Sequence, residues 1–220
     1  MGVFCSLNDP ALEEFEHHKT ENKYKKGQII FYEGNNAFGL FCILAGRIKL
    51  YKSGYDGRPQ IVRLAGPGDL LGYRSLFADE PYHATAEALE ESTICCIDKV
   101  AFYNVLQKNP ALGFNLLQKL SKELRIAEEL ATSIAQKSAR ERMAELLLML
   151  QESYGNQEKL GIKIDLHLSR EEMAEMIGTT QETVIRLLSD FRKEKLIFLK
   201  ERDLTVLNSK ALVEIAKLEI

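Results

Sequence analysis

From position 110 to 136 the chain carries one glycine, Gly113, and no proline after Pro110. Within that stretch Leu117, Leu120, Leu124, Ala127, Ala131 and Ile134 recur at alternating spacings of three and four. That period puts all six on one stripe of an α-helix, the geometry of a seam against a second helix. Positions near Leu116 and Leu120 can pack on the chain's own preceding domain. A helix of more than about twenty residues outruns the surface of one small domain, however, so the rest of the stripe calls for a second copy of the chain. The reading is a dimerisation helix over 110–136, between an N-terminal domain at 1–109 and a C-terminal domain at 137–220.

The stretch before the helix has a different period. Gln28–Tyr32, Phe38–Leu44, Arg47–Tyr51 and Gln60–Leu64 are short apolar runs, and a last pair covers Tyr82–Leu89 and Ser92–Ile97. Between them stand Glu33-Gly34-Asn35-Asn36, Ala45-Gly46, the hairpin signal Asp56-Gly57, and Gly66-Pro67-Gly68-Asp69. Many short strands at regular intervals predict a β-barrel or jelly roll. The pattern changes at about Asp98.

After the seam, Ala139–Tyr154 reads as an amphipathic helix and Ile162, Ile164 and Leu166 as a short strand. Ser169 precedes Glu172 by three, the spacing of a capping box. Met173, Ala174, Met176 and Ile177 give the next helix its apolar face, Gly178 supplies a turn, and Thr179 or Thr180 can cap a helix burying Val184, Leu187, Leu188 and Phe191. Leu196–Leu199 and Leu204–Leu207 flank Lys200-Glu201-Arg202-Asp203 as a hairpin, and a final helix starts near Ser209. Helix, glycine turn, helix and hairpin is the winged helix-turn-helix order.

On the second helix of that unit Gln181, Glu182, Ile185, Arg186 and Ser189 point outward. Arginine can fork onto guanine N7 and O6, and glutamate can accept from cytosine N4. Glu182 and Arg186 are four apart, so each can hold the other in place. A pair at that spacing is common on ordinary surface helices; the surrounding unit is what turns it toward double-stranded DNA. Thr179, Thr180 and Ser169, at helix starts, are placed for phosphate contacts. Arg192, Lys193 and Lys195 add positive charge at the far end.

Charge sets a limit on that reading. The chain has a net charge of −3. From Lys137 onward fourteen basic residues face fifteen acidic ones. DNA affinity must therefore come from a local patch and from two copies acting together. The four cysteines, Cys5, Cys42, Cys95 and Cys96, form no Cys-x-x-Cys pair and suggest reduced structural thiols. An enzyme would need clustered histidines and carboxylates or a nucleophile beside a base. Only His83 lies in the barrel segment, so no catalytic role is expected. No run approaches the roughly 18 to 20 apolar residues of a membrane span. The N-terminus lacks a basic segment leading into an apolar one, which points to the cytoplasm and away from a membrane.

Over nearly its whole length the chain resembles the CRP/FNR family of bacterial transcription regulators. The resemblance rests on Gly27–Tyr51, on Gly68-Asp69-Leu70-Leu71-Gly72-Tyr73-Arg74-Ser75-Leu76-Phe77, on the seam helix and on Leu168–Ile197. Its most specific parts are Ser169-Arg170-Glu171-Glu172-Met173-Ala174 and Thr180–Leu188. It implies an α+β fold: an N-terminal cyclic-nucleotide-binding-type β-roll, a long dimerisation helix and a C-terminal winged helix-turn-helix. It further implies a homodimeric regulator that contacts RNA polymerase and reads a palindromic promoter site, with Glu182 and Arg186 on GA-containing half-sites. Gln181 stands where cAMP-responsive members carry arginine.

The resemblance also implies an effector pocket at Gly72, Tyr73, Arg74, Ser75, His83, Ala84, Ala127 and Glu128. Tyr73 replaces the glutamate expected on the ribose, and His83 and Ala84 replace the arginine and serine expected on the cyclic phosphate. A buried phosphate without its arginine loses a bidentate charged bond, so tight cAMP binding is not expected. An oxygen-sensing iron–sulfur cluster needs several N-terminal cysteines, and only Cys5 is there. Haem is an alternative for which His17, His18, His83 and His167 are the candidate ligands. The expectation is therefore a regulator that responds to an unidentified effector or acts constitutively.

Overall fold

The computed structural model describes residues 19–218. Cys5, His17 and His18 lie outside the described residues. The chain divides into two compact units, one ending at Ala127 and the other starting at Glu128.

The first unit is built on two four-stranded antiparallel sheets. One has the order β1 (Lys19–Tyr24), β8 (Ser92–Asp98), β3 (Gly39–Ala45), β6 (Leu70–Leu71); the other is β2 (Ile29–Phe31), β7 (Thr85–Ala88), β4 (Ile48–Ser53), β5 (Pro59–Ala65). Alternation along the strands splits their apolar residues between two cores. Phe41, Ile43, Ile48, Ala86, Ala88 and Ile94 bury with Phe31 and Tyr82. Leu40, Cys95 and Ile97 face the other way, onto α1 (Tyr73–Ala78), α2 (Lys99–Lys108) and the start of α3 (Pro110–Gln136). The Tyr82 phenol is sunk in the first core, stacks on Phe31 at 4.1 Å and donates to the Gly39 carbonyl at 2.9 Å. Leu112 and Leu116 of α3 complete the second core, and each such fully buried side chain contributes about 1.5–3 kcal/mol.

Three elements of this unit are too polar or too short for an apolar pattern to announce them. The strand β1, Lys-Thr-Glu-Asn-Lys-Tyr, is almost wholly exposed and is held by its register on β8, from Lys19 opposite Ile97 to Tyr24 opposite Ser92. The two-residue β6 pairs with Phe41 and Cys42. The short helix α1 has no side-chain cap.

The vicinal Cys95 and Cys96 lie on opposite faces of β8, one in each core. Cys95 stands directly across from Cys42 in the β3 pairing. Burial pushes the Cys42 and Cys96 thiols up to about 11.

In the second unit α4 (Ala139–Tyr154) starts at a capping box, with Ser138 accepting from the Glu141 N–H and the Glu141 carboxylate reaching back to the Ser138 N–H. The helices α5 (Arg170–Ile177), α6 (Gln181–Lys193) and α7 (Ser209–Ala216) follow. A sheet ordered β11 (Ile197–Lys200), β12 (Asp203–Val206), β10 (Ile162–Ile164), β9 (Gly155–Gln157) closes the unit. The hairpin β11–β12 is the expected wing. Leu166 falls just past β10, and β9 occupies the glycine segment that reads from sequence as the end of a helix.

Candidate nucleic-acid interface and effector region

The helix-turn-helix is fixed by caps. Ser169 Oγ accepts from the Glu172 N–H at 3.0 Å, and the Glu172 carboxylate accepts from the Ser169 N–H at 2.7 Å. Gly178 ends α5 in the left-handed region at φ 62°, where a side chain would be strained. Thr180 then caps α6, its hydroxyl accepting from the Thr183 N–H at 3.3 Å. Val184, Leu187, Leu188 and Phe191 are buried. The opposite face is left open: Gln181, Glu182, Ile185, Arg186 and Ser189 are all exposed, Ile185 at 51%. The apolar Ile185 is left in water between Glu182 and Arg186.

Around that face Thr180 and Ser169 are exposed and Thr179 is half-buried. Arg192, Lys193 and Lys195 are exposed beyond it; Lys200 precedes the wing turn and Arg202 lies in it, both exposed.

Arg142 was not legible as a site residue. From α4 its Nε donates to the Ile177 carbonyl at 2.7 Å and its Nη2 to the Gly178 carbonyl at 3.3 Å, satisfying the end of α5. Its Nη1 reaches the Lys137 carbonyl and, at 3.5 Å, the Ile134 carbonyl. One guanidinium thus holds both the reading unit's turn and the last turn of α3. Beside it the Glu145 carboxylate accepts from Ser133 and Lys137, and Lys137 also donates to the Ala216 carbonyl at 2.7 Å.

The seam residues split by environment. Leu117, Leu124 and Ile134 are 62%, 60% and 41% exposed, and Ala127 and Ala131 are also exposed. Leu120 instead packs partly against the core shared by β3, β8 and α2. Phe114 and Ile126, not singled out by the spacing, add exposed apolar surface to α3.

The effector positions are a mixture of buried and exposed residues. Gly72, at φ 83°, caps α1, and a Cβ there would meet the Gly39 carbonyl and the Tyr82 ring at 3.0 Å. Tyr73 and Ser75 are buried. His83 has turned to the surface, where its Nε2 meets Glu80 at 2.8 Å, and Ala84 is nearly buried. Ala127 and Glu128 are exposed. His167 lies on the second unit, its Nδ1 3.3 Å from the Arg202 carbonyl. A cyclic nucleotide needs a polar acceptor for its ribose and a cation for its phosphate; the buried Tyr73 and the outward His83 do not fit it.

What does converge is a set of charges. Arg63 from β5, Asp69 from the turn before β6, Arg74 from α1 and Lys119 and Glu123 from α3 form one cluster. Arg63 Nη1 lies 3.0 Å from Glu123, Arg74 Nε 3.7 Å and Lys119 Nζ 3.9 Å. Asp69 pairs with Lys119 at 2.7 Å and with Arg63 at 3.3 Å. These contacts to Glu123 are Coulombic: both its carboxylate oxygens and the Tyr73 hydroxyl are buried with no aligned hydrogen-bond donor or acceptor among the described residues. Burial, and then the Glu123 carboxylate that the phenol faces, push the Tyr73 pKa far above its ordinary value.

A family model described as a cyclic nucleotide-binding domain matches residues 21–109, and one described as a Crp-like helix-turn-helix domain matches residues 141–215. The chain is 32% identical to the global nitrogen regulator of Nostoc sp. over 201 residues, 90% of this chain and 85% of that protein. It is 26% identical to the CRP-like cAMP-activated global transcriptional regulator of Mycobacterium tuberculosis, covering 98% of this chain and 96% of the other. Among solved structures FixK2 from Bradyrhizobium japonicum superposes with a TM-score of 0.81 at 25% identity, over 92% of this chain and 99% of that one. No helix among the described residues is long and apolar enough to cross a membrane.

Proposed function

The chain belongs to the CRP/FNR family of bacterial transcription regulators, and from that premise we propose that it works as a cytoplasmic homodimer reading a palindromic promoter site. Its function is DNA-binding transcription regulation. The finer reading divides it into a β-roll over 1–109, a dimer helix over 110–136 and a reading domain over 137–220. Each α6 enters the major groove of one half-site, with Arg186 forked on a guanine, Glu182 on a cytosine and Gln181 and Ile185 on the adjoining base edges. Thr179, Thr180 and Ser169 take the flanking phosphates. RNA polymerase is the partner that the family implies.

The observation that carries the reading is the open face of α6. A helix buried on Val184, Leu187, Leu188 and Phe191 and capped at Thr180 leaves Ile185 and Arg186 in water with no role in the fold. The exposed Leu117, Leu124 and Ile134 support the dimer in the same way. Selection of binding sites from a random DNA library with ligand-free protein tests it, followed by anisotropy on the winner. A palindromic winner with nanomolar affinity agrees with the reading. Enrichment of single, non-repeated sites would oppose the dimeric part of it.

A further inference from the structure

The stripe that α3 lays on the first unit runs Leu112, Leu116, Leu120 and then, three residues on, Glu123. Leu112 and Leu116 are buried and Leu120 partly so, and the period calls for a fourth apolar residue. The side chain of Glu123 is only 13% exposed. A carboxylate at such a depth is costly unless its charge is met. Here it is met from three elements: Arg63, Arg74 and Lys119 stand around it, with the Tyr73 phenol facing it. Among the described residues the sole other anion in the cluster, Asp69, is already engaged by Lys119, Arg63 and the Gly66 N–H. With Glu123 in place the three cations face two carboxylates; without it they face one. The site is therefore an anion-binding site whose anion belongs to the chain itself.

We propose that Glu123 is a built-in ligand: its carboxylate fills an anion site formed by Arg63, Arg74 and Lys119, so the β-roll grips α3 without a small-molecule effector. This rests on the reading of the β-roll as the effector domain and replaces its unidentified effector with a residue. It accounts for the misfit to a cyclic nucleotide, since the position next to Gly72 serves an internal carboxylate. The class of ligand the emptied site accepts is a small monocarboxylate, which matches the lost group in charge and size.

Chemical rescue tests it on the full-length protein. Glu123→Ala leaves a carboxylate-sized gap among the cations; Glu123→Gln keeps the shape and removes the charge. Both variants should melt several degrees below the wild type, as expected when one partner of a buried ion cluster is removed. Acetate should recover at least half of the loss in Glu123→Ala relative to chloride at equal ionic strength, and should leave Glu123→Gln and the wild type unmoved. Should Glu123→Ala not fold in chloride, refolding yields in acetate and in chloride give the same comparison. Unchanged melting in both variants, equal effects of acetate and chloride on Glu123→Ala, or an equal acetate shift in the wild type would each overturn the proposal. Melting involves no DNA, so failure of the DNA reading leaves this result standing, and the reverse holds.

Discussion

The Arg142 guanidinium donates to the Ile177 carbonyl at 2.7 Å, joining the first turn of one helix to the last turn of another across 35 residues of sequence. The same side chain reaches Gly178, Lys137 and Ile134. Removing it leaves several helix-end carbonyls without their charged donor. Arg142→Ala should destabilise the protein by about 1–3 kcal/mol and Arg142→Lys by less than that, since an ammonium keeps the charge but lacks the planar fork. Denaturant unfolding followed by far-UV circular dichroism measures both; full stability in Arg142→Lys would mean that the fork geometry is immaterial.

Arg186 has no packing role to lose. Arg186→Ala should leave the melting temperature within a degree or so of wild type while costing about 1–3 kcal/mol of binding to the selected DNA site. Discrimination at one base pair of each half-site should relax. Anisotropy on specific and scrambled duplexes checks this, and equal affinities for wild type and variant on both would remove α6 as the reading helix.

The division of the seam between exposed and packed residues separates two effects. Leu124→Ala should raise the dimer dissociation constant with little cost to the fold, because Leu124 is 60% exposed in the single chain. Leu120→Ala should lower stability as well, because Leu120 packs on the β-roll core. Sedimentation equilibrium and denaturant unfolding, run on both variants, resolve the two quantities.

Asp69 gives the protein an acid-sensitive contact. Burial alone would raise its carboxyl, but the Lys119 ammonium, the Gly66 N–H and Arg63 outweigh that and hold it below the ordinary value of 3.8. A depressed folded pKa contributes stability that is complete above the unfolded value and lost as pH falls through the folded one. Between about pH 5 and 2 the wild type should therefore lose stability more steeply than Asp69→Asn. Thermal melts across that range decide it.

Cys42 and Cys96, with thiols pushed up to about 11 by burial, should be slow nucleophiles. Roughly one thiol in a thousand is ionised at pH 8, so alkylation should climb about tenfold per pH unit with no plateau near pH 8.5. Peptide mass spectrometry after timed iodoacetamide treatment reads each cysteine separately. A plateau at neutral pH would show an activated thiol.

The periodic parts of this protein are legible in its sequence. Short apolar runs between glycine-bearing turns placed β2–β5, β7 and β8, the three-and-four spacing placed α3 from Pro110, and Ser169, Glu172, Gly178 and Thr180 placed the reading unit with its outward Gln181, Glu182, Ile185 and Arg186. These features are local, since a helix or strand writes its buried face into its own residues at a fixed interval. The polar strand β1 has no such face and exists because β8 offers it a register. Likewise, nothing near Glu123 names Arg63, far earlier in the chain, and nothing near Arg142 names Ile177.

The sequence by itself determined the order of the periodic elements, their inward faces and the helix proposed to read DNA. Only the tertiary structure decided which charges meet: the Glu123 cluster, the Arg142 bridge and the outward turn of His83. Burial preference is a property of each residue and repeats with the backbone's period, whereas an ion pair depends on the distance between two side chains that the fold alone brings together.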